Sequence, residues 1–443
     1  MSILKQVLSD ALSSAFGKAS ASKSLEPATD ARNKNEGARP SETEPPRPSG
    51  SGMKAVILNW KAGENDPFTV INETLRQHFR ACGKNVEVIE ITDRDWAARL
   101  SKLAADGVEF AITWQGLGSS ARFGEGGPSL WDHLKIPLIC IHGDHPSHMP
   151  VNHQLESRYC FHLYTNTEFA RYSNRHFRRM RSAGVIDIPR LHSEPRLAGR
   201  TGDYFVFAKN IADPADAEAR WRQQLAKPLF DSYMTAAETL RSLISSRPYV
   251  DIHDVLDELV VQHGWDHLRA DGNIAQHHNY HSVLDHYVRS TKSAAIVRAL
   301  REFPVRIYGR GWDRIAQSAP ASHVFEPGRN MADSQALYYT RFGLVDVSPS
   351  KRLHDRTRRA MVNGSGFLSS ANLEDSFSDI GRFDSLFFSF QPDDLPEKCA
   401  AVLSDPDGHH AAAEQFANLY HDTFHFRNFV NRIEQLAMHA STF

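Results

Sequence analysis

From residue 53 onward the chain alternates unbroken apolar runs with stretches of helical periodicity, and this alternation leaves few folds open to it. MKAVILNW, residues 53–60, is apolar nearly throughout rather than at every second position, so as a strand it has to be covered on both faces. FTVINETLRQHFRAC follows with helical spacing, then NVEVIEI as a strand, DWAARLSKLAAD as a helix and FAITWQG as a strand. IPLICIHGDHP and FHLYTN continue the series. Such alternation predicts an α/β protein built on a parallel sheet with helices on both faces. A first Rossmann-like domain is expected over residues 53–195.

GDYFVFAKN, residues 202–210, opens a second block. Residues 215–300 read as a helical insert, after which the alternation resumes with PVRIYGRGW, SHVFEPG, GLVDVSPS, GFLSS and SLFFSF as strands. Helices are expected around DSQALYYTRF and DRTRRAMVNG, and again from about 395 to 438. This predicts a second Rossmann-like domain over residues 196–443, its last helix free to cross back to the first. Two such domains facing each other place a ligand cleft at the carboxyl ends of both sheets.

With 443 residues, 41% of them hydrophobic, the chain can bury a large core divided between two domains. A net charge of -2 weighs against a protein whose main task is gripping nucleic acid, so any basic surface is local. Cys82, Cys140, Cys160 and Cys399 show no CxxC spacing, which fits neither a zinc ribbon nor a disulfide framework and points to a reducing, cytoplasmic setting. No run approaches the ~18 apolar residues of a membrane span. Ahead of the first strand, Ile3, Leu4, Val7, Leu8, Leu12 and Phe16 form an amphipathic helical stripe. It suits docking on the body, on a protein partner or on a membrane surface. Residues 20–52, rich in Pro, Ser, Glu and Gly, are expected to be a disordered linker, making 1–52 an extension.

Ligands of parallel sheets sit where strands end, which singles out three loops. Gly309-Arg310-Gly311-Trp312 offers two glycines, an Arg fork suited to phosphate and the amides of a helix start; a tight turn with Trp312 in the core is the alternative. Ser348 and Ser350 flank Pro349, and Lys351, Arg352, His354, Arg356, Arg358 and Arg359 then surround Asp355 before the helix closes at Asn363-Gly364. Cations at a helix start oppose its dipole, a cost that an anionic ligand would offset; a solvated basic face, with Arg358 on the surface, is the alternative. Asp144 and His145, after the strand ICIH, are candidate acid, base or acceptor-binding groups, or a cap for the next segment. His277 and His281 stand at i,i+4, yet without HExxH or an obvious third ligand no metal site is expected. GxGxxG and GxxxxGK[ST] are both absent.

The stretch from TKSAAIVRALREFPVRIYGRGW through LYYTRFGLVDVSPSKRLHDRTRRAMVNGSGFLSS to FHFRNFVNRIEQL resembles the group 1 glycosyltransferases, in particular the subgroup related to the spore-maturation protein. ICIHGDHP followed by FHLYTN is similar to that subgroup's D-x-P strand and the strand after it. The resemblance implies a GT-B fold, a nucleoside diphosphate sugar held by the second domain, and a glycan, lipid-linked or protein acceptor held by the first. It implies metal independence and no cofactor, with basic side chains and helix-start amides stabilising the departing diphosphate. Lys209 falls where many members place a phosphate-binding Lys or Arg. Many members also carry two glutamates eight positions apart, where this chain has Lys351 and Arg359. That departure keeps two alternatives open, a non-catalytic binding or scaffold protein and a nucleotide-sugar epimerase.

Overall fold

The computed structural model describes residues 54–60, 67–124, 126–153, 157–177, 181–189, 201–247, 249–327, 340–345, 355–362, 364–370, 380–389 and 392–441. The amphipathic stretch at residues 3–16 and the linker at 20–52 lie outside them.

Six strands, β1 (Lys54–Asn59), β2 (Asn85–Glu90), β3 (Val108–Trp114), β4 (Leu138–His142), β5 (Cys160–Tyr164) and β6 (Gly184–Val185), form one sheet in the order β2-β1-β3-β4-β5-β6. Every neighbouring pair is parallel. The apolar runs are continuous because side chains of both faces are buried. Val56, Leu58, Ala111, Leu138 and Cys140 pack on one side with Leu100 and Trp131. Ala55, Ile57, Phe110, Ile112 and Ile141 pack on the other with Phe79.

The second sheet holds β7 (Thr201–Ala208), β8 (Val305–Gly309), β9 (His323–Pro327), β10 (Thr340–Val345) and β11 (Gly366–Ser369) in the order β11-β10-β7-β8-β9, again all parallel. The expected α/β class and its two Rossmann-like parallel sheets are present. Strand order reverses between β1 and β3 in the first sheet and between β7 and β10 in the second, which are the places where such sheets bind ligands.

One strand is additional to the expected series, and one local expectation differs. β6 is only two residues long and carries no apolar run to announce it. SLFFSF is no strand: Ile380–Leu386 is a 3-10 turn, and beyond it Phe387 makes an isolated bridge to Ser369. Phe383, Leu386 and Phe387 stand at i, i+3 and i+4 and enter one cluster with Phe367 and Phe416, a one-sided packing that strand alternation forbids.

Helices Pro214–Gln224, Lys227–Ser246, Ile252–Gln262 and Ile274–Ala299 have a core of their own, with Trp221, Tyr233, Leu256, Tyr280 and Leu284 among its buried side chains. Asp213, Asp251 and Asn273 cap three of them by accepting from backbone amides. The last of the four has 26 residues, about 39 Å of helix. Its first half lies in this helical core, while Ala294, Ile296 and Val297 belong to the core of the second sheet.

The terminal helix, Phe426–Ser441, returns to the first sheet. Phe426, Phe429, Val430, Ile433 and Ala437 recur at helical spacing and pack with Phe79, Ile112 and Ile141. Lys84 Nζ meets Glu434 at 2.6 Å beside them. Ile433 is fully buried, so Ile433→Ala should lose about 2–5 kcal/mol in urea unfolding. A loss below about 1 kcal/mol would place that helix off the sheet. No described helix is long and apolar enough to cross a membrane.

Candidate functional site

At the reversal point of the first sheet the polar groups are wired to one another. Asn72 Nδ2 donates to Asn59 Oδ1 at 2.7 Å, Trp114 Nε1 donates to Asn72 Oδ1 at 2.8 Å, and all three residues are buried. Gln115, the first residue past β3, adopts the left-handed region at φ 53°, a costly conformation for a residue with a Cβ. Its amide donates to Asp144 Oδ2 at 2.9 Å, fixing that exposed carboxylate at the carboxyl end of β4.

Four residues beyond Asp144, in the turn Pro146–His148, His148 Nε2 lies 2.8 Å from Asp285 Oδ2 on the long helix. A carboxylate only accepts here, so Nε2 carries the proton and Nδ1 keeps its lone pair. Asp285 is 1% exposed and also meets Arg289 Nε at 2.7 Å. Burial alone would raise its carboxyl, yet Arg289 and His148 outweigh that and hold it well below the ordinary carboxylate range.

The same helix reaches the second sheet. Ser290 Oγ accepts from Ala212 N at 3.1 Å in the segment after β7, and Lys292, 1% exposed, donates from Nζ to Ser370 Oγ at 2.8 Å just past β11. Asp285, Arg289 and Lys292 stand at i, i+4 and i+7, one stripe about 10 Å long. One helix face therefore joins the carboxyl ends of both sheets, an imidazole-carboxylate pair at one end and a buried ammonium at the other.

Lys209 and Arg310 lie at the ends of β7 and β8, half-buried and exposed respectively. The Arg310 amide donates to Asn210 Oδ1 at 2.8 Å, and Ile211 N to the Arg310 carbonyl at 2.9 Å. This contact is what the glycines serve. A Cβ on Gly309 would stand 2.2 Å from Lys209 O, and one on Gly311, at φ 85°, would stand 1.9 Å from Ile211 O. Gly311→Ala should cost several times as much stability as Gly83→Ala, which shares a positive φ but has open space at its Cβ. Equal losses in thermal unfolding would mean that φ alone sets the requirement.

Several expectations change. Trp312 is 3% exposed, packs on Phe207, and donates its indole N–H to Lys209 O at 2.8 Å, so it is a core residue whose ring no donor can reach. His145 does not face an acceptor: it is 1% exposed, stacks on His253 at 3.3 Å, and caps the next turn by accepting from Ser147 N. Burial, then His253, pushes its imidazole well below the usual histidine range. Gly364, at φ 60°, ends the helix Asp355–Val362, where Ser365 N donates to Ala360 O at 3.1 Å. Arg356 is half-buried in that helix's first turn, and Thr357 Oγ1 lies 3.1 Å from Ser369 Oγ. Ser348, Ser350, Lys351, Arg352 and His354 lie outside the described residues, as does the Arg359 side chain.

His148, Asp285, Arg289, Lys292 and Ser370 are not among the residues that sequence reasoning singles out. A signal does exist in the charged residues at i, i+4 and i+7, on a helix that the fold buries on several sides.

No family model matches the chain, and neither does any curated protein sequence. Among solved structures it is similar to Anabaena Alr3699/HepE in complex with UDP-glucose, at 12% identity and TM-score 0.42, covering 88% of this chain and 100% of that one. It is also similar to T4 phage BGT in complex with its UDP-glucose substrate, at 8% identity and TM-score 0.39, covering 88% and 97%. An O-GlcNAc transferase mutant of Thermobaculum terrenum gives 10% identity and TM-score 0.42, covering 88% and 68%. These identities are too low to carry residue roles across.

Proposed function

We propose that this protein is a metal-independent glycosyltransferase that moves a sugar from a nucleoside diphosphate sugar to a hydroxyl of a glycan, lipid-linked or protein acceptor. The observation that carries the reading is the stripe Asp285-Arg289-Lys292, which brings a histidine-carboxylate pair from the first sheet onto the helix that also reaches the basic end of the second.

His148 is the base. With Nε2–H held by Asp285, its Nδ1 takes the proton of the acceptor hydroxyl as that oxygen attacks the anomeric carbon. The bond from that carbon to the diphosphate breaks, and the leaving group departs with the electron pair. Lys292, Lys209, Arg310 and Arg356, with the basic run at Lys351, Arg352, His354 and Arg359, supply positive potential where that charge develops; Ser348 and Ser350 supply hydroxyls. Asp144, held by Gln115, orients the acceptor. One direct displacement assisted by a base inverts the anomeric configuration.

Incubation with UDP-, GDP- and dTDP-sugars followed by product analysis tests this. Release of free diphosphonucleoside together with an inverted glycoside is the expected result. Stoichiometric nucleotide binding without turnover would favour a binding protein, the reading suggested by Lys351 and Arg359 in place of glutamates. An isomerised nucleotide sugar would favour an epimerase.

A further inference from the structure

Away from the stripe at Asp285, three helices converge on one carboxylate. His176 ends the helix Thr167–His176, Asp257 lies within Ile252–Gln262, and His277 and His281 lie in the first turns of Ile274–Ala299. His176 Nε2 is 3.1 Å from Asp257 Oδ2, while His277 Nε2 and His281 Nε2 are 3.6 and 3.1 Å from Oδ1.

The tautomer of His277 makes this arrangement incomplete as a set of hydrogen bonds. Its Nδ1 lies 2.9 Å from the Leu268 carbonyl, which can only accept, so Nδ1 carries the proton and Nε2 is a lone pair. That lone pair has no hydrogen-bond partner among the described residues, His277 is 2% exposed, and the atom it faces is a carboxylate oxygen. Asp257 is half-buried and its Oδ2 already pairs with Arg175, yet no described residue donates to the buried His277 lone pair that faces Oδ1, and a cation between these two acceptors would satisfy both.

We propose that His176 Nε2, His277 Nε2 and the Asp257 carboxylate bind a zinc ion that fastens the helical insert to the first-sheet domain. Their ligand atoms all lie within 4.8 Å of one another. Tetrahedral zinc, with bonds of about 2.0–2.1 Å, holds its ligands about 3.3 Å apart; His176 stands 3.1 Å from Oδ2 and His277 3.6 Å from Oδ1, so the carboxylate would meet the ion with both oxygens. Imidazole and carboxylate are ligands zinc accepts, and both histidines must be neutral to serve. The outer contacts are those of a metal site: the Leu268 carbonyl orients His277, and His281 orients Asp257. His277 and His281 alone lack a third ligand in the sequence; the fold brings Asp257 and His176 to them.

The test uses the full chain, stripped with EDTA, dialysed and titrated with zinc against a chromophoric chelator. One equivalent is expected to bind at micromolar affinity or tighter and to raise the melting temperature. His277→Gln and Asp257→Asn should weaken binding on the order of 100-fold, and His281→Asn about 10-fold. Cobalt in place of zinc should give the visible absorption of a tetrahedral nitrogen and oxygen site, lost in His277→Gln, which circular dichroism would show to be folded. Stripped protein that binds no stoichiometric zinc overturns the proposal. So does binding that survives His277→Gln but disappears in His142→Gln, which would locate the ion at the buried cluster of Cys140, His142 and His162 instead.

Discussion

His148→Ala is expected to lower kcat by about 10²–10⁴-fold while leaving KM for the donor within a few fold. In the proposed mechanism the donor binds through the second sheet, whereas His148 acts only as the acceptor oxygen loses its proton. His148 is half-buried at the surface of its turn, so truncation should leave the fold intact. Asp285→Asn addresses the same step through positioning. An amide offers Nε2 either a donor or a weaker acceptor, releasing the tautomer that leaves Nδ1 free, and it also leaves Arg289 beside a neutral group. Its kcat should fall nearly as far, and its pH-rate profile should lose the limb that reports the base. If His148→Ala kept a tenth or more of wild-type kcat with the chemical step rate-limiting, the base would be elsewhere, with Asp144 the next candidate. Full activity in Asp285→Asn would detach the long helix from the chemistry.

Stability is expected to fall steeply on the acid side, and His409 should be one source of the drop. It is 7% exposed on the helix Pro406–Thr423, against Phe342 and Gly366. Burial, followed by the neighbouring His410, lowers its imidazole to about 4. In the unfolded chain the group titrates near about 6.5. Between those values the unfolded state binds the proton and the folded state does not, so unfolding is favoured as pH falls. The contribution is complete above about pH 6.5 and lost by about pH 4, a gap of about 3 kcal/mol at about 1.36 kcal/mol per pKa unit. His145, its imidazole also lowered by burial, acts in the same direction. Urea unfolding at about pH 7 and about pH 4.5 measures this, and His409→Gln should flatten the difference. An unchanged slope in that variant would mean that the acid loss comes from the other buried histidines, His145 among them, or from the carboxylates.

Strand positions in both sheets are legible in the amino-acid order alone, since burial on two faces forces continuous apolar runs such as AVILN and LICIH. The loops after β4 and β8 stand out for the same reason: a buried strand has to end at a surface, and in parallel sheets the carboxyl end is the one open to ligands. The meaning of the residues in those loops is not legible in the same way. Gly309 and Gly311 read as an approach for a ligand, whereas in the fold they make room for the chain at Lys209 and Ile211, about 100 positions earlier. His145 and His148 are both histidines of one turn, and only packing tells the stacked cap from the candidate base.

Local physics therefore determined the element series, the parallel pairing and the positions where ligands could enter, because periodicity and burial act over a few residues. Tertiary structure decided which side chains meet. His148 finds Asp285 across 137 positions, Lys292 finds Ser370 across 78, and His176 finds Asp257 across 81. Proton affinity, lone-pair direction and metal affinity depend on such partners within about 4 Å, and no local pattern in the chain encodes a partner that folding brings from so far away.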